Sequence, residues 1–245
     1  MPGRQGKKVL IFDADLSLAN VDVLLDLKPR YTLEDVIAGE RALPDVIVSA
    51  GERVRVIPAG SGSEPLANIT PENLDRLLSG LETVSDDADF LLVDTGAGVS
   101  DSVLRFAEAA DETIVVTTAE PTANLDAYST IKMLVRRNPE TNLGLLVNMA
   151  RDRREAAEAL RTVMLVTRQF MRVEVRNLGY ILRDANVLSA VRRQQPVVAY
   201  SPHCSASKCF AQLADRFLES GAPRRAGGGL RRFMQRLAGT LRGRE

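Results

Sequence analysis

Short runs of almost unbroken apolar residues alternate along this chain with stretches whose apolar positions recur every three to four residues. The runs over 8–12, 53–57, 90–93, 112–117, 144–147 and 178–182 predict strands. They lack the apolar-polar alternation of a sheet with one wet face, and continuous apolar character is what burial on both faces demands. The pattern therefore predicts a doubly wound, mostly parallel α/β sheet covered by helices. Thr70-Pro71-Glu72 predicts a helix start, with a capping threonine and a proline in the first turn. Its apolar face continues through Leu74, Leu77, Leu78 and Leu81, and a second helix is marked by Leu160, Val163, Met164, Thr167 and Met171.

The 245 residues, 45% of them hydrophobic, are enough for a sizeable core, and the length favours one α/β domain over 1–222. After Ser220 the texture changes. A Gly- and Pro-containing stretch over 223–229 reads as a flexible linker, and 230–245 as a separate helix. The formal charge is zero but uneven: after Pro223 come seven arginines and one acid, Glu245, so a basic tail hangs on an acidic body.

Leu230, Phe233, Met234, Leu237 and Leu241 gather within an arc of about 100° on a helical wheel, with Arg231, Arg232 and Arg236 off that arc. A basic amphipathic helix on a glycine tether reads as an interfacial membrane anchor, arginines toward anionic lipid and Phe and Leu toward the acyl boundary. The alternative is a last helix packed on its own domain. No apolar run approaches the roughly 20 residues needed to cross a bilayer, and the polar, basic start has no signal-peptide core, so a cytoplasmic location is expected. The two cysteines, Cys204 and Cys209, read as structural thiols, with a metal site shared with His203 as the weaker alternative.

In open parallel sheets ligands bind at the carboxyl ends of strands. Three such ends carry polar residues: Asp13-Ala14-Asp15 after the first strand, Asp94-Thr95-Gly96-Ala97-Gly98 after the third, and Asn148 after the fifth. A carboxylate directly after an apolar strand suits a magnesium ion, which keeps several waters and takes few protein oxygens. A strand-end aspartate is more often a helix cap or turn residue, so only the constellation of signals lifts this reading. Glycines after it let the backbone pass close to a phosphate and change shape when the phosphate leaves.

Together with Thr117-Thr118-Ala119-Glu120-Pro121, these blocks resemble the MinD/ParA ATPases, and especially the FlhG (YlxH) flagellar-number regulators, in family order and over nearly the whole chain. The resemblance implies a P-loop NTPase fold with ATP and Mg²⁺ as ligands. It implies roles for Asp15 as the switch I aspartate that orients the attacking water, Asp94 as the Walker B aspartate at the metal, Gly98 as part of switch II, and Asn148 as the adenine contact with Arg183-Asp184 beside it. It further implies a nucleotide-dependent homodimer on anionic lipid at the cytoplasmic face of the inner membrane. An FlhF-type GTPase or flagellar switch proteins are the partners it suggests.

One departure stands out. The family opens with a strand, a loop of the type Gly-Lys-Gly-Gly-Val-Gly-Lys-Thr and a helix; no such segment occurs among these residues. Gly3-Arg4-Gln5-Gly6-Lys7-Lys8 leads straight into a strand, and Gly60-Ser61-Gly62 lacks the lysine. A gene start set too far downstream, a fragment and a degenerate copy are the three explanations. The sheet is then expected to lack a central strand between the Asp94 strand and the 112–117 strand, leaving backbone groups whose burial costs about 1–3 kcal/mol each. Two rival functions follow: a non-catalytic pseudo-ATPase adaptor for membrane and partner proteins, and a ParA-like DNA segregation factor, which the acidic body disfavours.

Overall fold

The computed structural model describes residues 6–15, 19–60, 70, 72–73, 76–77, 79–80, 84, 88–219 and 229–242. The chain forms two compact units, one of Pro2–Ala109 with Pro223–Glu245 and one built on Ala110–Ala222.

The first unit holds a four-stranded sheet in the order β2 (Val48–Ser49), β3 (Val54–Ile57), β1 (Val9–Asp13) and β4 (Phe90–Asp94). β1 is parallel to both neighbours, with Val9 opposite Val54 and Phe90, and Asp13 opposite Asp94. The two-residue β2, absent from the expected strands, adds antiparallel to β3. Short helices α1 (Val21–Leu24), α2 (Leu33–Ile37) and α3 (Leu43–Val46) cover the sheet with Leu33, Val36, Leu43 and Val46, all buried. α2 starts where Thr32 donates its backbone N–H to Asp35 Oδ2 at 2.7 Å, a local cap that stops the helix from fraying. The predicted threonine cap is present: Asn73 N–H donates to Thr70 Oγ1 at 3.3 Å, and Leu77 is buried. Pro71, Leu74, Leu78 and Leu81 lie outside the described residues.

The second unit holds the parallel order β5 (Thr113–Thr117), β6 (Leu143–Ala150) and β7 (Arg176–Leu182). Helices α5 (Pro121–Arg137) and α6 (Arg153–Met171) make the crossovers, and α7 (Ala185–Arg192), α8 (Val197–Tyr200) and α9 (Ser205–Glu219) follow β7. Leu160, Val163 and Thr167 of α6 are buried, as their spacing predicts. Cys209 is buried within α9, and Cys204 is half-buried with its thiol 3.2 Å from Ser207 Oγ.

Among the described residues β4 pairs only with β1, and β5 only with β6, so each sheet ends on an edge strand. Leu92 on β4 is 45% exposed and Val116 on β5 is 55% exposed. These apolar runs, which anticipate cover on both faces, are thus partly exposed here.

The tail departs from the expectation of a helix held apart from the body. α10 (Gly229–Arg242) packs on α4 (Asp101–Ala109) in the first unit, and Phe233, Met234 and Leu237 are 4%, 2% and 2% exposed. The reason is the same amphipathic stripe that reads as membrane-seeking. Its three central side chains meet Phe106 and Ala109 in the core that also contains Phe12, whose ring meets that of Phe106 edge-on at 5.7 Å. Arg232 and Arg236 lie on the same helix, while the side chains of Leu230, Arg231 and Leu241 lie outside the described residues.

Candidate functional site

The tips of β1 and β4 form the acidic mouth of the first unit. Parallel pairing puts Asp13 opposite Asp94, and Ala14 N–H donates to the Asp94 carbonyl at 2.7 Å, tying the two strand ends together. Asp13, 1% exposed, accepts the amide of Asp15 on Oδ1 and that of Val21 on Oδ2, both at 3.3 Å. Asp13 thereby fastens both ends of the segment that carries Asp15. Sequence reasoning noticed Asp13 without giving it a task; the signal was its place as the last residue of the strand, two before Asp15.

Asp15 lies beside the segment that follows Asp94. A Cβ placed on Gly96 would stand 3.3 Å from the Asp15 carboxyl carbon and both its oxygens, so the Asp15 side chain lies over the glycine two residues after Asp94. Asp94 is exposed as a residue, yet its carboxyl is set back among protein atoms; this desolvation, and then the charge of Asp15, raise its affinity for a proton above the ordinary carboxylate value. Asp13 is raised too, chiefly by burial, with the Val21 and Asp15 amides pulling the other way and Asp94 adding repulsion. Gly98 lies at φ +96°, exposed, with nothing within 4 Å of the point where a Cβ would stand, a free pivot between the mouth and α4.

Among the described residues no three carboxylate, imidazole or thiolate groups converge tightly enough to hold a metal by themselves. A hard, well-hydrated ion such as Mg²⁺ needs only one or two carboxylates beside its waters and a phosphate, and Asp94, with the charge of Asp15 acting on it, is the oxygen donor such an ion would relieve of repulsion. The donor set fits magnesium.

The other two predicted contacts belong to the second unit. Asn148 lies inside β6, which runs on to Ala150 and does not stop at Val147. The strand continues because β7 keeps pairing with it: after a register shift Ala150 faces Leu182, and Arg183 N–H donates to the Ala150 carbonyl at 2.8 Å. Asn148 falls within that irregularity, where a bulge re-aims side chains, and its Oδ1 accepts the Met149 amide at 2.9 Å. Asn148 and the 183–184 segment therefore share the carboxyl end of the β6–β7 pair. Asp184 has a structural task there. It caps α7 by accepting the Asn186 amide at 2.9 Å, receives Ala206 N–H at 3.3 Å from α9, and these bonds hold its carboxyl down at about 2.

The chain belongs to the ParA family of P-loop NTPases: the family model described as the NUBPL iron-transfer P-loop NTPases matches residues 3–218. Within that class two relatives match most of the chain. It is 38% identical over 232 residues to the antiactivator FleN of Pseudomonas aeruginosa, covering 95% of this chain and 83% of that protein. It is 31% identical to the flagellum site-determining protein YlxH of Helicobacter pylori, covering 96% of this chain and 80% of the other. Among solved structures, the cell division ATPase MinD of Pyrococcus furiosus superposes with a TM-score of 0.73 at 27% identity, covering 90% of this chain and 89% of that one. MinD of Pyrococcus horikoshii, complexed with Mg-ADP, gives 0.72 at 26% identity over 91% of this chain and 89% of its own. The fold is that of the MinD/ParA P-loop NTPases.

Proposed function

We propose that this chain is a site-determining regulator of the MinD/FlhG type, an ATPase by lineage that cycles between cytosol and the cytoplasmic face of the inner membrane and helps to set flagellar position or number. The observation that carries the reading is the convergence of Asp15 and Asp94 at one mouth, with Gly96 leaving room for the Asp15 carboxyl. YlxH, named as a flagellum site-determining protein, supports the flagellar assignment.

In this reading Asp94 holds a hydrated Mg²⁺, and the ion supplies charge neutralisation for the triphosphate. Asp15 orients the attacking water and accepts its proton, Asp13 keeps Asp15 aimed, and Gly98 lets the following segment move between nucleotide states. Asn148, with the backbone around Asp184, borders the base. Two copies associate around nucleotide, and two weak tail helices together give the attachment that one gives marginally. An FlhF-type GTPase or flagellar switch proteins are the partners to test.

Equilibrium binding of labelled ATP to the 245-residue chain, with and without Mg²⁺, tests this directly. Saturable, Mg²⁺-dependent binding that Asp94→Asn weakens at least about tenfold supports it. No binding by the unmodified chain sinks it and leaves the second reading, a non-catalytic membrane and partner adaptor. Retention on DNA but not on anionic vesicles would overturn both in favour of a segregation factor.

A further inference from the structure

Among the described residues Arg105 is the buried cation: it is 8% exposed, deep in the contact between α4 and α10. A guanidinium in that position must have its donors satisfied. Arg105 Nε donates to Asp101 Oδ2, one helical turn back on α4, at 2.5 Å, and Nη1 donates to the carbonyl oxygen of Thr240. Thr240 lies in the last turn of α10, where carbonyls have no amide partner within the helix and the helix dipole is negative. The opposite end repeats the device. Arg236 Nη1 of α10 reaches the carbonyl of Ala109, the last residue of α4, at 3.5 Å. The two helices run antiparallel, and each contributes an arginine to the other's C-terminus.

We infer that this reciprocal arginine clasp is the lock that holds the tail on the body, and that Arg105 is its positioning residue. Phe233, Met234, Leu237 and Arg236 serve the docked state, and they are the side chains the free helix would give to lipid, so docking and lipid binding exclude each other. Arg105 belongs to α4 and would touch no lipid, so it weights one state only. Its partner Asp101 opens α4 three residues after the unobstructed Gly98, so movement of the segment after Asp94 passes into the Asp101–Arg105 pair through a single helical turn. The inference rests on the proposed lipid-binding role of the tail for one arm of its test, and the other arm is independent of it.

The test compares the full chain with Arg105→Met, which keeps volume but removes both donors, and with Arg105→Lys, which keeps charge but not the fork. Amide hydrogen exchange over 233–240 without membranes reads docking, and co-sedimentation with phosphatidylglycerol vesicles, against phosphatidylcholine vesicles, reads lipid binding. A bond to a charged donor is large enough for exchange in Arg105→Met to rise at least about tenfold, with Arg105→Lys between it and the unmodified chain. Unchanged α10 exchange in Arg105→Met, with circular dichroism showing a folded protein, overturns the lock. Faster exchange with stronger retention on phosphatidylglycerol supports both lock and membrane reading; faster exchange with no retention supports the lock and removes the membrane reading.

Discussion

The carboxyl group of Asp15 lies 3.3 Å from the point where a Cβ on Gly96 would stand. Two strand tips that are 79 positions apart in sequence, at Asp15 and Asp94, are thereby made into one acidic mouth, and the absence of a side chain at 96 is what leaves Asp15 its place.

Gly96→Ala and Gly98→Ala should separate space from backbone strain. At 96 the added methyl pushes Asp15 aside by a few tenths of an ångström without forcing a left-handed backbone, so Mg²⁺-dependent nucleotide binding falls while thermal stability barely moves. At 98 nothing obstructs the methyl, but φ is +96°, and a cost of about 1–2 kcal/mol should appear as a lower melting temperature. Equal loss of stability in both variants would contradict this division.

Asp94→Asn should stabilise the protein at pH 7. Burial and Asp15 raise the Asp94 carboxyl, so its charged form opposes folding at neutral pH, and that opposition fades as pH falls through the raised value toward the ordinary 3.8. The partial exposure of this group screens the effect to at most about 1 kcal/mol, or roughly 2–4 °C in a chain of this size. Melting curves at pH 7 and pH 4 check the sign: the variant's advantage is present at the first and shrinks at the second. Added Mg²⁺ should raise the melting temperature of the unmodified chain more than that of the variant.

Asp184→Ala removes a cap, and should cost about 1 kcal/mol, whereas Asp184→Asn keeps a good capping residue and should stay near the original stability. The Asp184 carboxyl is held down to about 2 from 3.8, so its contribution is complete above the ordinary value and is lost as pH falls toward the depressed one. Urea melts at pH 7 and pH 2.5 should show the gap between Ala and Asp closing in acid.

Leu237→Ala should destabilise the first unit by about 2–4 kcal/mol, because Leu237 is 2% exposed among core residues. The same substitution should weaken binding to phosphatidylglycerol vesicles. A change below about 0.5 kcal/mol, the range of surface positions, would show that the helix is not docked in solution.

Strand positions and the helix cap at Thr70 were legible because they follow from local patterns: apolar runs, and a threonine whose hydroxyl reaches an amide three residues on. The nearness of Asp15 to Asp94 was legible only as two strand-end carboxylates, and it follows from the parallel register of β1 and β4 that sets Asp13 opposite Asp94. Asp13 escaped assignment because a carboxylate at a strand tip reads the same whether it faces a ligand or folds back on amides. Asp184 shows the converse, a residue suggested for a ligand whose oxygens are engaged by Asn186 and Ala206.

The amino-acid order by itself determined the alternation of strands and helices, the carboxylates at strand tips and an amphipathic basic tail, since each depends on side chains within a few positions of one another. Only tertiary structure decided which of two partners the tail's apolar stripe meets, because Phe233 is equally suited to a lipid interior and to the ring of Phe106. It also decided that Arg105 is buried: that required the last-turn carbonyl of Thr240, 135 positions away, as its acceptor. An apolar stripe along a helix specifies that one face must be covered. What covers it is set by the shape and charge of surfaces that exist only once the chain has folded.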